Sequence, residues 1–287
     1  MGSTKHQADR LVFIPALPFI PGQSYRAQWR SATGPVTADF AHTTPKRTTP
    51  GVHLTPEASL PANALKLYLH FTEPMEQGVF LERLRLLDAQ GREVIGPFRE
   101  TELWAPDGQR LTVWFHPGRQ KAGVNLNFEE GPVLHPNSRY TLVVSGIWRS
   151  SAGAALGQDH KFTFDTREAD HDCPQVAKWK VLPPKAATRR PLRLQFDEAL
   201  DGAMLKTALQ VLDARSVSVP GTVDVAPSGA AWHFTPAQPW APGEYQITAN
   251  PDLEDLAGNS LTKPFEVDLS APAPAAASVT IRWVVEP

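Results

Sequence analysis

Two acidic runs hold the side chains of this sequence best suited to chemistry. Asp170-His171-Asp172-Cys173-Pro174, with Asp165 just upstream, sets several carboxylates within a short stretch. A second run, Asp252-Leu253-Glu254-Asp255, precedes Leu256-Ala257-Gly258-Asn259. Calcium takes about six to eight oxygen ligands and can stiffen the junctions of tandem β domains. Asp165, Asp170, Asp172, Asp252 and Asp255 are therefore the candidate calcium ligands, provided the second run folds back on the first. The plainer reading is turn chemistry, since Asp and Asn side chains bond their own main chain. The expectation is a chain without a resident cofactor, with calcium as the alternative.

Other reactive pairings are weaker. Cys173 and His171 have the types of a nucleophile and its base, but a linker fixes neither, and no third group orients the base. Glu129-Glu130 has the composition of an acid–base pair, yet neighbours in a strand face opposite ways, so a solvated loop is expected. His70, His116 and His233 lie in or beside strands, far apart in sequence, and a zinc or copper site needs them to converge. No nucleophile elbow, HExxH metal motif, phosphate loop or dinucleotide fingerprint is present. The expectation is a non-enzymatic protein.

Tryptophan suggests a different activity, because sugars stack on exposed indoles. Of the 8 Trp, Trp232 and Trp240 fall in a repeated core frame. Trp104 and Trp148 lie near loops and are the candidate exposed platforms, with Arg119 and Lys121 of the adjacent 119–131 insertion as polar ligand contacts. Core packing is the competing reading for each.

Composition narrows the rest. Net charge is −2, which gives no electrostatic reason to expect nucleic acid or an anionic membrane as partner. The lone Cys173 excludes an intrachain disulfide and any multi-cysteine metal site. No apolar run approaches the ~20 residues of a membrane-spanning helix. Leu11 to Ile20 faintly imitates a leader, but Pro15 and Pro18 break it and no small-residue cleavage site follows. A leader is therefore expected to be absent from this chain.

The elements that must position these residues repeat. Three of the 4 Tyr share one context: V-F-I-P-A-L-P-F-I-P-G-Q-S-Y at Tyr25, H-F-T-P-A-Q-P-W-A-P-G-E-Y at Tyr245, and a longer version ending H-P-N-S-R-Y at Tyr140. Each reads as a strand stopped by proline, a turn, and a strand opened by tyrosine. A tyrosine so placed is the expected tyrosine corner of an immunoglobulin-like sandwich. L-K-L-Y-L-H-F-T-E-P-M (65–75) parallels L-R-L-Q-F-D-E-A-L (192–200), both alternating as half-buried strands do. L-E-R-L-R-L-L-D-A and L-K-T-A-L-Q-V-L-D-A each predict a short helical turn feeding a strand that ends at Asp88 or Asp213. Both copies close alike, through G-A-A-L-G-Q-D-H-K-F-T-F and G-N-S-L-T-K-P-F-E-V. Strands recur about every 8–12 residues without sustained amphipathic helix, the pattern of a sandwich.

With F-x-E-P-M or F-x-E-x-L, then L-x-D-A, P-G-x-Y and D-L-A-G-N, the sequence resembles bacterial Ig-like domains of S-layer type. From Leu60 to Leu269 it further resembles a family of uncharacterised bacterial exported proteins, through L-P-A-N-A-L-K-L-Y-L-H-F-T-E-P-M, E-L-W-A-P-D-G-Q-R-L-T-V, E-E-G-P-V-L, G-I-W-R and D-L-E-D-L-A-G-N. The resemblance implies an all-β chain of tandem immunoglobulin-like β-sandwiches and an extracytoplasmic location, but no catalysis. The expected organisation is a partial unit over 1–48, a sandwich with a loop insertion over 50–166, a linker, a sandwich over 176–269, and a Pro/Ala spacer with a terminal strand over 270–287. The expected role is spacing, display or adhesion at a bacterial surface, with a protein or cell-surface glycan partner. The chain is expected to be a monomer or a weak strand-donating assembly. The rival role is a carbohydrate-binding or hydrolase-accessory protein.

Overall fold

A computed structural model describes residues 2–7, 10–15, 19–20, 22–31, 34–41, 48–121, 125–266 and 279–287. The chain is all-β and divides into two units, Met1–Thr49 and Pro50–Pro287. The first unit holds two antiparallel hairpins. β1 (Gly2–Gln7) pairs with β2 (Arg10–Pro15), and β3 (Ser24–Ser31) pairs with β4 (Gly34–Ala41). β1 was not foreseen in the sequence, whose polar G-S-T-K-H-Q has no apolar alternation to announce it. Leu11, Phe13 and Trp29 remain exposed here. The sequence predicts a strand over 37–43 where β4 lies, and residues 42–43 of it fall outside the described residues.

The second unit contains two immunoglobulin-like sandwiches of matching topology. Its first is built from β5 (Val52–Thr55), β6 (Leu60–Pro61), β7 (Lys66–Phe71), β8 (Leu84–Leu87), β9 (Leu103–Trp104), β10 (Arg110–Trp114), β11 (Arg139–Val144) and β12 (His160–Arg167). One sheet runs β5-β7-β10-β9 and the other β6-β12-β11-β8. The second sandwich uses β13 (Lys180–Leu182), β14 (Leu192–Gln195), β15 (Leu209–Asp213), β16 (Gly221–Val225), β17 (Ala231–Pro236), β18 (Gly243–Ala249) and β19 (Val279–Val285). Its sheets run β13-β14-β17-β16 and β15-β18-β19.

Period-two side chains build each core. In the first sandwich Leu67, Leu69, Leu111, Val113, Leu86, Leu142 and Trp148 meet between the sheets. In the second, Leu192, Leu194, Trp232, Phe234, Ile247, Trp283 and Val285 do so. The repeated helical turn is α1 (Phe80–Arg83) before β8, and a short 3-10 turn (Met204–Lys206) before β15. Asp88 and Asp213 then close the following turns identically, each carboxylate accepting main-chain N–H groups two and four residues on.

The three repeated tyrosines bond the main chain just upstream. Tyr25 and Tyr140 hydroxyls accept the N–H of Ile20 and His135, and Tyr245 donates to the carbonyl of Ala241. That is the geometry of a tyrosine corner.

One strand differs from the sequence reading. Pro264–Glu266 of P-F-E-V, expected as a strand, are not in one, whereas the terminal strand docks on the edge of its own sandwich as the sequence leads one to expect: β19 pairs along the whole of β18, Tyr245 opposite Trp283 and Ile247 opposite Ile281. The physical reason is packing. Trp283 stacks on Tyr245 and meets Trp240 edge-on, whereas Phe265 lies against Gly258, with the ammonium of Lys121 over its ring.

Candidate functional site at the sandwich junction

The junction between the two sandwiches of the second unit gathers most of the buried charge. Lys66 opens β7, and its Nζ lies 2.6 Å from Asp201 Oδ2 and 3.1 Å from Glu254 Oε2. Lys66 and Asp201 side chains are 10% and 0% exposed. The Tyr68 hydroxyl, next on the same face of β7, sits 2.8 and 2.7 Å from the two Asp201 oxygens. Asp201 also accepts the N–H groups of Ala203 and Met204, which fixes the turn that carries it. Burial alone lowers the Lys66 pKa; Asp201 and Glu254 overcome that and hold it above the ordinary value. The Tyr68 hydroxyl is pushed far up by burial and by Asp201, so it stays a donor.

Main chain and apolar contacts reinforce the polar ones. Leu65 N–H donates to Leu256 O and Glu57 N–H to Pro227 O across the junction, while Asp201 N–H donates to Glu254 O within the second sandwich. Leu256, from the second sandwich's D-L-E-D-L-A-G-N loop, is buried in the core of the first.

The two acidic runs do meet, through three groups. Ligand atoms of Asp170, Glu198 and Asp255 lie within 4.8 Å of one another, the one such cluster among the described residues. Asp255 is buried and accepts from Ala257 N–H, Asn259 N–H and Asn259 Nδ2. Asp170 takes the Arg167 guanidinium at 2.9 Å. Its main chain exchanges two hydrogen bonds with Asn63 and takes a third from Asn259. Burial, then Asp255 and Asp170, pushes Glu198 up to about 7. Burial pushes Asp255 up to about 6 against the opposing bonds from Asn259. The cluster thus resembles hydrogen-bonded turns in contact more than an open oxygen cage. The other three calcium candidates stand apart from it. Asp165 pairs with Arg139 at 2.7 Å, Asp172 is exposed, and Asp252 is an exposed turn residue.

The remaining expectations resolve one by one. Trp148 is 0% exposed, packs on Phe71 and Trp104, and donates its indole N–H to Glu76 O. It is a core side chain, which corrects the platform reading. Arg119 is also buried: its guanidinium is spent on the carbonyls of Gly131, Ile95 and Pro132, so it clamps the insertion instead of meeting a ligand. Trp104 is half-buried with its N–H on Glu102, while Lys121 is exposed. The insertion carries α2 (Pro117–Gln120) and α3 (Asn125–Glu130), with Glu129 and Glu130 exposed on α3.

Burial and nearby carboxylates raise the Cys173 thiol, the opposite of activation, and His171 pairs with Glu266 instead. Lys66, Tyr68, Glu198 and Asp201 were missed in the sequence. Lys66 and Tyr68 sit at polar positions of an alternating strand, which read as solvent-facing. Asp201 and Glu198 belong to F-D-E-A-L-D, read as a strand and its turn.

Residues 174–271 match the profile of a bacterial Ig-like domain. That stretch covers the junction loops and most of the second sandwich. No curated protein sequence matches the chain. Among solved structures the chain is similar to the N-terminal part of the bacterial S-layer protein SbsC, at 11% identity over 84% of this chain and 45% of that one, TM-score 0.31. It is similar to native alpha-2-macroglobulin from Escherichia coli spanning domains MG0-NIE-MG1, at 13% identity over 70% of this chain and 64% of that one, TM-score 0.27. It is also similar to the N-terminal four Ig domains of Dscam1, at 10% identity over 99% and 65%, TM-score 0.24. This chain therefore spans between about half and two thirds of those proteins' lengths. No helix among the described residues is long and apolar enough to cross a membrane.

Proposed function

We propose that residues 50–287 form a rigid, non-enzymatic spacing and display module that works outside the bacterial cytoplasm, presenting its surfaces to a protein or cell-surface glycan. The observation that carries this reading is the buried junction. Lys66, Tyr68, Asp201 and Glu254 join the sandwiches through one charge network, and Leu256 of one sandwich fills the core of the other. Bending at this point leaves a buried ammonium unpaired and opens apolar surface, both costly. Tandem domains joined by a flexible linker move independently by default; these two are tied.

The similarity of residues 174–271 to a bacterial Ig-like domain supports the extracytoplasmic placement. Function in such folds resides in sites grafted onto the sandwich. The closed Arg119 and the buried Trp148 weigh against a sugar platform at the insertion. Residual dipolar couplings test rigidity: amides of β7, β10 and β11 and those of β14, β17 and β18 should report one common alignment tensor. Two separate tensors would overturn the spacer reading. Saturable binding on a glycan array, lost in Trp104→Ala, would favour the carbohydrate role.

A further inference from the structure

A second feature of the same junction is a cavity of about 290 Å³, at the small end of ligand pockets. Its walls come from both sandwiches: His53 and Thr55 on β5, Tyr68 and His70 on β7, Arg110 on β10, and Lys206 on the turn before β15. The charge in it is lopsided. No carboxylate pairs with Arg110 or Lys206 among the described residues. The Arg110 guanidinium lies over the Tyr68 ring, 5.5 Å from its centre, and its Nε is buried with no acceptor. A buried donor without a partner calls for an acceptor that the chain itself does not supply.

His53 and His70 add imidazole rings to the same wall. His53 and His70 stack at 4.7 Å, and His70 Nε2 meets Thr55 Oγ1 at 2.8 Å. Burial, then His53, Lys206 and Arg110, lowers His70 to about 4. The neighbouring cations oppose a proton on His70, which is the signature of an uncompensated positive site. Two carboxylates lie nearby, Asp224 with an 82% exposed side chain and Asp201 engaged by its neighbours. Asp224 lines the rim and approaches His233 at 3.4 Å. Asp201 is held by Lys66 and by the Tyr68 hydroxyl.

We propose that this junction cavity binds a small oxyanion, a phosphate or sulfate group, held by Arg110 and Lys206 with His53, His70 and Thr55 completing the shell. Guanidinium and ammonium groups suit that chemistry, the former through paired donors and the latter as a point charge. Because Lys206 belongs to one sandwich and Arg110 to the other, the bound anion would also tie the junction together.

The test uses the full chain at constant ionic strength, with inorganic phosphate, inorganic sulfate and a hexose phosphate as probes, and chloride and the plain hexose as controls. The expected result is a saturable rise in melting temperature with the oxyanions and none with the controls. The His70 titration midpoint, followed by ring-nitrogen NMR, should also move up on saturation. Lys206→Glu, an exposed change that leaves the core alone, should abolish the effect, and Arg110→Gln should weaken affinity about tenfold or more. Response to inorganic anions alone identifies a free oxyanion; response to the hexose phosphate as well identifies a terminal group on a saccharide. No response to any oxyanion, or a response that survives Lys206→Glu, overturns the assignment.

Discussion

Asp201→Ala isolates the junction. In the folded protein the carboxylate faces Lys66 Nζ at 2.6 Å, the Tyr68 hydroxyl, and two main-chain N–H groups. Removing it leaves the Lys66 ammonium, 10% exposed, with Glu254 as its remaining counter-charge, and that side chain is 31% exposed. Breaking a buried ion pair from one side costs about 3–5 kcal/mol, and an orphaned buried donor costs about 1–3 kcal/mol. These losses overlap, because all the donors share one acceptor, so the expected destabilisation is ~3–5 kcal/mol. Lys66→Met with Asp201→Leu removes both charges and should cost much less than the sum of the single changes. Guanidinium unfolding reads both, from a shift in midpoint at unchanged slope. The loss should register in probes of both sandwiches, Trp148 in one and Trp232 in the other. A cost below about 1 kcal/mol would mean that Lys66 behaves as a surface lysine, and would refute the reasoning.

Other expectations concern the carboxylates, the last strand and the core. Glu198 and Asp255 are raised in the folded state, to about 7 and about 6. Their protonated forms therefore favour the fold below the ordinary carboxylate range, near pH 4, and that contribution is lost as pH rises through about 6 to 7. Melting temperature at constant ionic strength should fall over this window, and Glu198→Gln should flatten the slope; an unchanged slope removes Glu198 from the account. EDTA should leave the melting curve unmoved, and a rise on adding calcium, following RT ln(1 + [L]/Kd), would identify the acidic cluster as a metal site. Truncation before Val279 removes Trp283 and Val285 from the core of the second sandwich, so hydrogen exchange should open β15 and β18. Opening confined to residues 11–41 would point to a role for the strand in the first unit instead. Trp148→Ala should cost ~3–5 kcal/mol with no change on a glycan array, and a loss of sugar binding without loss of stability would restore the platform reading.

The sheets were legible in the sequence because their signals are local. Alternation, the proline stops and the tyrosines after each turn all act within a few residues. The helical turns feeding β8 and β15, and the turns at Asp88 and Asp213, were legible for the same reason. The junction was not. Lys66 and Tyr68 alternate with Leu65, Leu67 and Leu69 as outward residues should, and only the arrival of the second sandwich buries them. Asp201 and Glu198 look like ordinary turn and strand-end residues until partners far along the chain are placed beside them. The closing strand was misread because P-F-E-V imitates the F-T-F of β12. Which segment takes that edge depends on whether its aromatic fits against Tyr245 and Trp240, and that fit is long-range.

The junction also bears on the order in which the chain is made. Asp201 follows Lys66 by 135 residues, 201 minus 66. At roughly 5–20 residues per second the ribosome needs on the order of ten seconds to supply that counter-charge. Leu256 comes later still, and the sheet holding β18 is closed only by residues 279–285. During that interval the first sandwich has its strands but not its seal: a lysine faces an absent partner and one place in its core is vacant. A nascent or cleaved chain ending just after Arg167 is therefore expected to be a ready substrate for chaperones and proteases, although every strand of its own sandwich is present. Synthesis of the two sandwiches together is therefore the expected condition for escaping both.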